Sequence, residues 1–177
     1  MKLRIKNTTL TLKIISWIQI IGGIVGLGII ASLLLKTGTI SGALLLIFII
    51  GIGLFWYSIY SGKRLLTDEK KCTAIILSII NQAIQIFQWS MFSYGFSYCS
   101  GAELTLGVQG ESLEFTFAAS VSTFNMAINS DNEPFLKINF IAILLVFTLF
   151  DIINELKKKR KEINVQENEI EEFKTKY

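Results

Sequence analysis

Four long apolar segments, separated by stretches that are richer in polar and charged residues, account for about half of this chain. They run over residues 14–35, 40–60, 72–96 and 136–156. A helix needs about 20 apolar residues to cross roughly 30 Å of hydrocarbon, and each segment reaches or approaches that length. Inside a bilayer every backbone N–H and C=O must be paired internally, which favours helices. The pattern therefore predicts an all-α membrane bundle of four transmembrane helices.

The segment between the third and fourth apolar stretches, residues 97–135, follows a different period. Apolar and polar side chains alternate over 103–109, 112–117 and 123–129. A period of two is typical of half-buried strands. We predict a small extracytoplasmic three-stranded antiparallel β-sheet, arranged as a meander, between helices 3 and 4. Three strands cannot enclose a core, so their apolar face is expected to pack on the helix ends, on lipid or on a partner.

The basic residues are distributed unevenly around the predicted spans. Only Lys36 and Lys137 flank one set of span ends. Thirteen flank the other set: Lys2, Arg4, Lys6, Lys13, Lys63, Arg64, Lys70, Lys71, Lys157, Lys158, Lys159, Arg160 and Lys161. The positive-inside rule then places both termini in the cytoplasm. The predicted cytoplasmic parts are a basic N-terminus (1–13), a loop (61–71) and a charged helical tail (157–177).

Composition narrows the function classes. The 177 residues are 51% hydrophobic and 18% charged and include no histidine. Histidine is the commonest general base and metal ligand, so we predict no enzymatic activity, no cofactor and no metal site. The basic block at 157–161 adjoins a predicted span, which disfavours nucleic-acid binding. The excess of 14 Lys over 3 Arg indicates an AT-rich bacterial genome, and hence the bacterial inner membrane.

A polar stripe on the third predicted span is the main candidate site. Its residues fall within an arc of about 120° at 100° per residue. They are Ser78, Asn81, Gln82, Gln85 and Gln88, to which we add Gln19 of the first span. The favoured interpretation is a polar core of interhelical hydrogen bonds. The alternative is a water-filled path or binding cavity.

Glycines and one acid complete the candidate residues. Gly22 and Gly26 on the first span, with Gly51 and Gly53 on the second, are expected to let helices pack closely, within one bundle or between copies. Asp151 is the acidic residue that reaches furthest into a predicted span. An isolated charge there is costly, so it is expected to pair with Arg64 or with Lys70 or Lys71, or to lie at the headgroup boundary.

These features predict a small integral membrane protein that acts non-enzymatically through protein contacts, as an accessory, scaffold or regulatory subunit. Its expected partners are the lipid bilayer and either further copies of itself or another membrane protein. The alternative is a homo-oligomeric pore or membrane-perturbing effector, lined by the polar face of the third helix.

Overall fold

Two long antiparallel helices form a hairpin at the start of the fold. The computed structural model describes residues 7–67, 71–110, 112–118, 122–128 and 133–175. Helix α1 spans Thr8–Lys36 and α2 spans Gly42–Thr67. The side chain of Asn7 caps α1 by accepting a hydrogen bond from the Leu10 amide. Within the described ranges, α1 and α2 are the two helices long and apolar enough to cross a membrane.

The third predicted membrane helix is wrong in its second half. Helix α3 spans Lys71–Ile84 and is followed at once by strands β1 (Phe87–Met91) and β2 (Tyr94–Cys99). Aromatic residues alternate with polar or small ones across both strands, a strand pattern that the high overall hydropathy conceals. The connecting residues Phe92 and Ser93 both have positive φ, as a two-residue type I′ turn requires.

The fourth predicted membrane helix is wrong at its start. The remaining strands are β3 (Glu103–Gln109), β4 (Ser112–Ala118), β5 (Thr123–Ile128) and β6 (Phe135–Asn139). Helix α4 follows directly and spans Phe140–Thr175. The Asn139 side chain accepts hydrogen bonds from the Ile141 and Ala142 amides, so it caps α4 and fixes the change from strand to helix.

The six strands of the described residues form one antiparallel sheet in the order β4-β3-β6-β1-β2-β5. The three segments with period two are strands β3, β4 and β5, but β5 pairs with β2 rather than with β4. The predicted four-helix bundle with a three-stranded meander is therefore wrong. The additional strands come from residues assigned to the ends of membrane helices, where hydropathy alone does not separate strand from helix.

The sheet is strongly curled towards its polar side. Strands β3 and β5 are four positions apart in the sheet, which corresponds to about 19 Å in a flat sheet. The hydroxyl of Thr123 on β5 nevertheless lies 3.4 Å from the carboxylate of Glu103 on β3. The polar side is therefore concave and buried, whereas the opposite side is convex.

The convex face carries most of the apolar side chains of the sheet, and many of them are exposed. We use this name for the outward side chains Phe87, Trp89, Met91, Leu106, Val108, Leu113, Phe115, Phe117 and Leu136. A sheet in a water-soluble protein usually buries its apolar side and exposes its polar side. Here the arrangement is reversed.

Two apolar clusters join the sheet and helices α3 and α4 to the hairpin. The first lies near the termini of the hairpin and contains Leu12, Ile15, Leu65, Ala74, Ile75, Leu149, Ile152 and Ile153. The second contains Ile30, Phe48, Phe55 and Tyr98, with Phe124 packed against it. Phe55 and Tyr98 meet edge to face with ring centroids 5.3 Å apart. The sheet consequently packs along the half of the hairpin nearer the α1–α2 turn, beside its helices and not beyond their ends.

Candidate functional site

The predicted polar stripe of α3 meets a matching set of polar groups on the hairpin. The Gln19 side-chain oxygen accepts hydrogen bonds from Ser61 (2.8 Å) and Ser78 (3.2 Å). The Asn81 amide donates to the Ser58 hydroxyl at 3.1 Å, and Ser58 donates to the Gln19 carbonyl at 3.0 Å. All five residues are fully buried. We refer to these residues, with Gln85, Tyr98 and Ser100, as the polar network.

The same network connects the helices to the sheet. The Tyr98 hydroxyl donates to the Leu54 carbonyl and lies 3.3 Å from the Asn81 side-chain oxygen. The Gln85 side-chain oxygen accepts from the Ser100 amide at 2.9 Å, and its nitrogen donates to the Asn81 carbonyl. Because the bonds of Tyr98 to Leu54 and Asn81, and that of Gln85 to Ser100, join different parts of the fold, they fix α3 and β2 against the hairpin.

The polar network is uncharged and nearly complete in its hydrogen bonds. Two buried side-chain nitrogens of the described residues, Gln19 Nε2 and Gln82 Nε2, have no partner. Amides and hydroxyls alone offer neither a general base nor an activated nucleophile. The arrangement can therefore orient and pin helices, as interhelical hydrogen bonds do in membranes.

Gln88 is predicted to belong to the polar stripe of α3, but it lies in a second polar cluster inside the curled sheet. It lies on β1 and is almost fully buried. Its amide nitrogen donates to the Glu103 carboxylate at 2.7 Å, and its oxygen accepts from the Ser97 hydroxyl at 3.0 Å. The predicted helical face is thus divided after Gln85, where α3 gives way to β1.

This second cluster lines a cavity of about 540 Å³ on the concave side of the sheet. We call it the sheet cavity. Side chains from α1 and from strands β1, β2, β3, β5 and β6 form its walls. The lining residues are Ile29, Gln88, Ser97, Glu103, Thr105, Ser122, Thr123, Phe124, Asn125, Phe135 and Lys137.

The two charges of the sheet cavity are not partners of each other. The Lys137 ammonium lies 2.6 Å from the Glu114 carboxylate and 5.2 Å from the Phe135 ring centroid. The Glu103 carboxylate accepts hydrogen bonds from Gln88 and Thr123. No basic residue in the described ranges comes within 4 Å of it. Among the described residues, only neutral groups contact the buried carboxylate of the sheet cavity.

Sequence reasoning did not identify Glu103, Ser97 or Thr123 as site residues. The signal that would have found them is the alternation over 87–99, which places Gln88 and Ser97 on the same side of neighbouring strands. Glu103 begins β3 and shares that polar side with Thr105. A metal site does not emerge from these residues, since the described chain contains no group of three or more acidic, Cys or His side chains.

The glycines named from the sequence occupy different environments. A Cβ at Gly22 would collide with the backbone of Ser100 and Gly101, and one at Gly26 would overlap the buried Phe55 ring. A Cβ at Gly51 would lie 2.8 Å from the Phe124 ring. No described atom lies within 4 Å of a Cβ placed at Gly53. Neighbouring parts of the chain therefore pack closely against Gly22, Gly26 and Gly51, both between helices and between a helix and the sheet region.

Asp151 lies on α4 and is half-buried next to the helical core, between the buried Leu149 and Ile152. Of its expected partners, Lys70 lies outside the described residues. Lys71 directs its ammonium to the carbonyls of Leu65 and Leu66 at the end of α2. A cation at this position stabilises the C-terminal end of a helix.

The two cysteines are free thiols in different surroundings. Cys72 is half-buried near the start of α3, and Cys99 is fully buried at the end of β2. Burial raises the pKa of the Cys99 thiol, and the neighbouring Glu103 carboxylate raises it further. A thiol with a raised pKa is a poor nucleophile, so Cys99 is not a reactive centre.

Comparisons with known proteins add no family to this picture. The scan against protein-family models, the search of curated proteins and the search of solved structures each found no match to this chain.

Proposed function

We propose that this chain is a non-enzymatic membrane protein that is inserted through the α1–α2 hairpin and acts through protein contacts made by its sheet. The exposure of the convex face is the observation that carries this proposal. Phe115 and Phe117 are each 65% exposed, and Leu113 is 75% exposed. Monomeric soluble proteins rarely leave a large apolar patch uncovered, so a bilayer or a partner is needed to cover it.

The way the sheet packs supports a position at the depth of the bilayer. Phe124 of β5 lies against Gly51, and Tyr98 of β2 bonds to the Leu54 carbonyl. Both contacts fall in the middle of α2. If the hairpin crosses a membrane, the sheet lies beside it in the half nearer the α1–α2 turn. In that position both the exposed apolar side chains of the hairpin and those of the convex face would face lipid or a partner.

The edge of β4 favours a protein partner over lipid alone. Within the described residues, β4 pairs with β3 only. An unpaired strand edge presents N–H and C=O groups that lipid cannot satisfy. It is also a ready template for pairing with another chain. We therefore assign β4 and the convex face beside it as the contact surface, either for a second copy or for another membrane protein that this chain scaffolds or regulates.

The polar network gives less support to the pore alternative. Ser78, Asn81 and Gln85 form hydrogen bonds with other groups of the same chain. Side chains that line a water-filled path are expected instead to face a continuous opening.

Photo-crosslinking in native membranes tests the proposed contact. A benzophenone amino acid replaces Phe115 on the convex face or, as the control, Ile49, which is 58% exposed on α2. We expect discrete protein adducts from position 115 and only lipid adducts from position 49. An adduct of twice the chain mass identifies a second copy, whereas another mass identifies a different partner. Lipid adducts alone at position 115 would overturn the proposal.

We further propose that both termini face the cytoplasm of a bacterium. Lys13, Lys63 and Arg64 lie at the open end of the hairpin, whereas only Lys36 lies near its turn. In a cysteine-free background, an impermeant maleimide added to intact cells is expected to label Gly38→Cys and not Lys63→Cys. The opposite labelling pattern would reverse the orientation.

A further inference from the structure

The sheet cavity has the size and composition of a small-molecule site. Its volume of about 540 Å³ falls within the range of about 300–1,000 Å³ typical of ligand pockets. Apolar groups from Ile29, Phe124 and Phe135 lie on its walls together with hydroxyl, amide and carboxylate groups. Such a mixture of apolar surface with a few polar groups is how ligand pockets combine affinity with orientation.

The Glu103 carboxylate is the least balanced group in this cavity. The residue is only 6% exposed, and both of its oxygens accept hydrogen bonds from neutral donors. Lys137, the basic residue that lines the cavity, is bound to Glu114. Burying a charge without a countercharge is unfavourable. A cation entering the cavity would therefore gain an electrostatic partner that is already held in place.

The surroundings of Glu103 suit an organic ammonium group better than a metal ion. Calcium takes six to eight oxygen ligands, usually with several carboxylates, whereas Glu103 is the one carboxylate that the described residues place on the cavity wall. An ammonium group needs one carboxylate and a few neutral acceptors, and the hydroxyl oxygens of Ser97 and Thr105 lie in the same wall. The aromatic ring of Phe135, which lines the cavity, can also contact a cation or the carbon atoms attached to it.

We propose that the sheet cavity binds a small molecule or headgroup that carries an ammonium group, with Glu103 as its charge partner. Gln88 and Thr123 hold the carboxylate in position from two other strands. Two sources share this chemistry: a free amine in solution and the ethanolamine headgroup of a phospholipid. Ile29, which borders the cavity, lies seven residues before Lys36, the last residue of α1. The cavity therefore lies about 10 Å along the helix axis from the end of α1 that adjoins the α1–α2 turn.

Binding measurements on the purified full chain test this proposal. The protein is held in a buffer without primary amines, and ethanolamine or benzylamine is titrated in detergent by calorimetry. The second arm uses nanodiscs made with phosphatidylethanolamine or with phosphatidylglycerol alone, and measures the thermal unfolding midpoint. We expect saturable binding of one ammonium group per chain in at least one arm. Binding of the free amines identifies a soluble ligand, and an effect of phosphatidylethanolamine alone identifies the headgroup.

Matched variants link the binding to Glu103. Glu103→Gln is expected to weaken binding by about tenfold or more, because a charge-assisted bond is lost. Glu133→Gln removes the same charge at an exposed residue outside the cavity and should leave binding unchanged. Asn125→Trp keeps the carboxylate but fills the cavity, so it should also abolish binding. It is the variant to measure if Glu103→Gln does not fold.

Two results would overturn the proposal. One is the absence of saturable binding in both arms by the folded wild-type chain. The other is an affinity that neither Glu103→Gln nor Asn125→Trp alters. Both results concern the concave side of the sheet only, so they are independent of the crosslinking outcome on the convex face.

Discussion

The polar network and the sheet cavity both bury amide and hydroxyl groups, but they differ in packing and charge. In the network, Ser58 bonds directly to both Gln19 and Asn81, and none of the network residues is charged. In the sheet cavity, Gln88 and Thr123 hold the carboxylate of a residue that lines the cavity. A cluster that satisfies itself contributes stability, whereas one that retains an unbalanced charge beside a cavity is suited to binding. Burial of polar residues therefore does not by itself identify a functional site.

The largest expected effect comes from packing beside the polar network. Gly26→Ala should lower the free energy of unfolding by up to about 3 kcal/mol, because the new methyl group would overlap the buried Phe55 ring. Gly28→Ala on the same helix is the matched control, since no described atom lies within 4 Å of its Cβ. Unfolding in mixed detergent micelles measures both. Equal stabilities of the two variants would show that the hairpin is less closely packed than described.

A somewhat smaller loss is expected when the network is interrupted. Asn81→Leu removes the donor to Ser58 and an acceptor for Tyr98, which should cost about 1–2 kcal/mol. Asn154→Leu makes the same exchange at an exposed position of α4 and should have little effect. A neutral Asn81→Leu in the same unfolding assay would remove the distinction between a self-satisfied network and an open cavity.

The wall of the sheet cavity should tolerate a comparable change better. Ser97→Ala removes the hydrogen bond to the Gln88 side-chain oxygen, but water in the cavity can replace the lost donor. We expect a cost of less than about 1 kcal/mol in the free energy of unfolding. A loss as large as that of Asn81→Leu would show that the cavity wall is as tightly coupled as the network.

The smallest effect concerns chemical labelling of Cys99, which lies between the two clusters and should hardly react with maleimide. Because the pKa of this thiol is raised by burial, and further by Glu103, its thiolate fraction at pH 8 should be lower than that of an ordinary cysteine. In the folded protein, maleimide should therefore modify Cys72 and leave Cys99 almost unmodified. Cys72→Ser and Cys99→Ser variants assign the sites by mass spectrometry. Rapid labelling of Cys99 in the folded chain would contradict its burial.

Periodicity located individual elements better than it located their partners. The alternation over 103–109 and 112–117 coincides with β3 and β4, and that over 123–129 coincides with β5 as far as Ile128, since residue 129 lies outside the described residues. It does not specify that β6 and β1 lie between β3 and β2, because strand order depends on long-range pairing. The stripe of α3 could be identified as a set of neighbouring polar groups, but Gln88 belongs to a different cluster because the helix ends at Ile84.

The sequence by itself determined the apolar hairpin, the local period of the strands and the polar character of α3, since each follows from the order of side chains along a short segment. The tertiary structure decided that residues 87–99 pair as strands, because hydropathy averaged over a segment does not distinguish a strand from a helix. It also decided that the sheet curls and brings Glu103 to Gln88 and Thr123. These residues are separated by 15 and 20 positions in the chain, and only the pairing of strands far apart in sequence places them around one cavity.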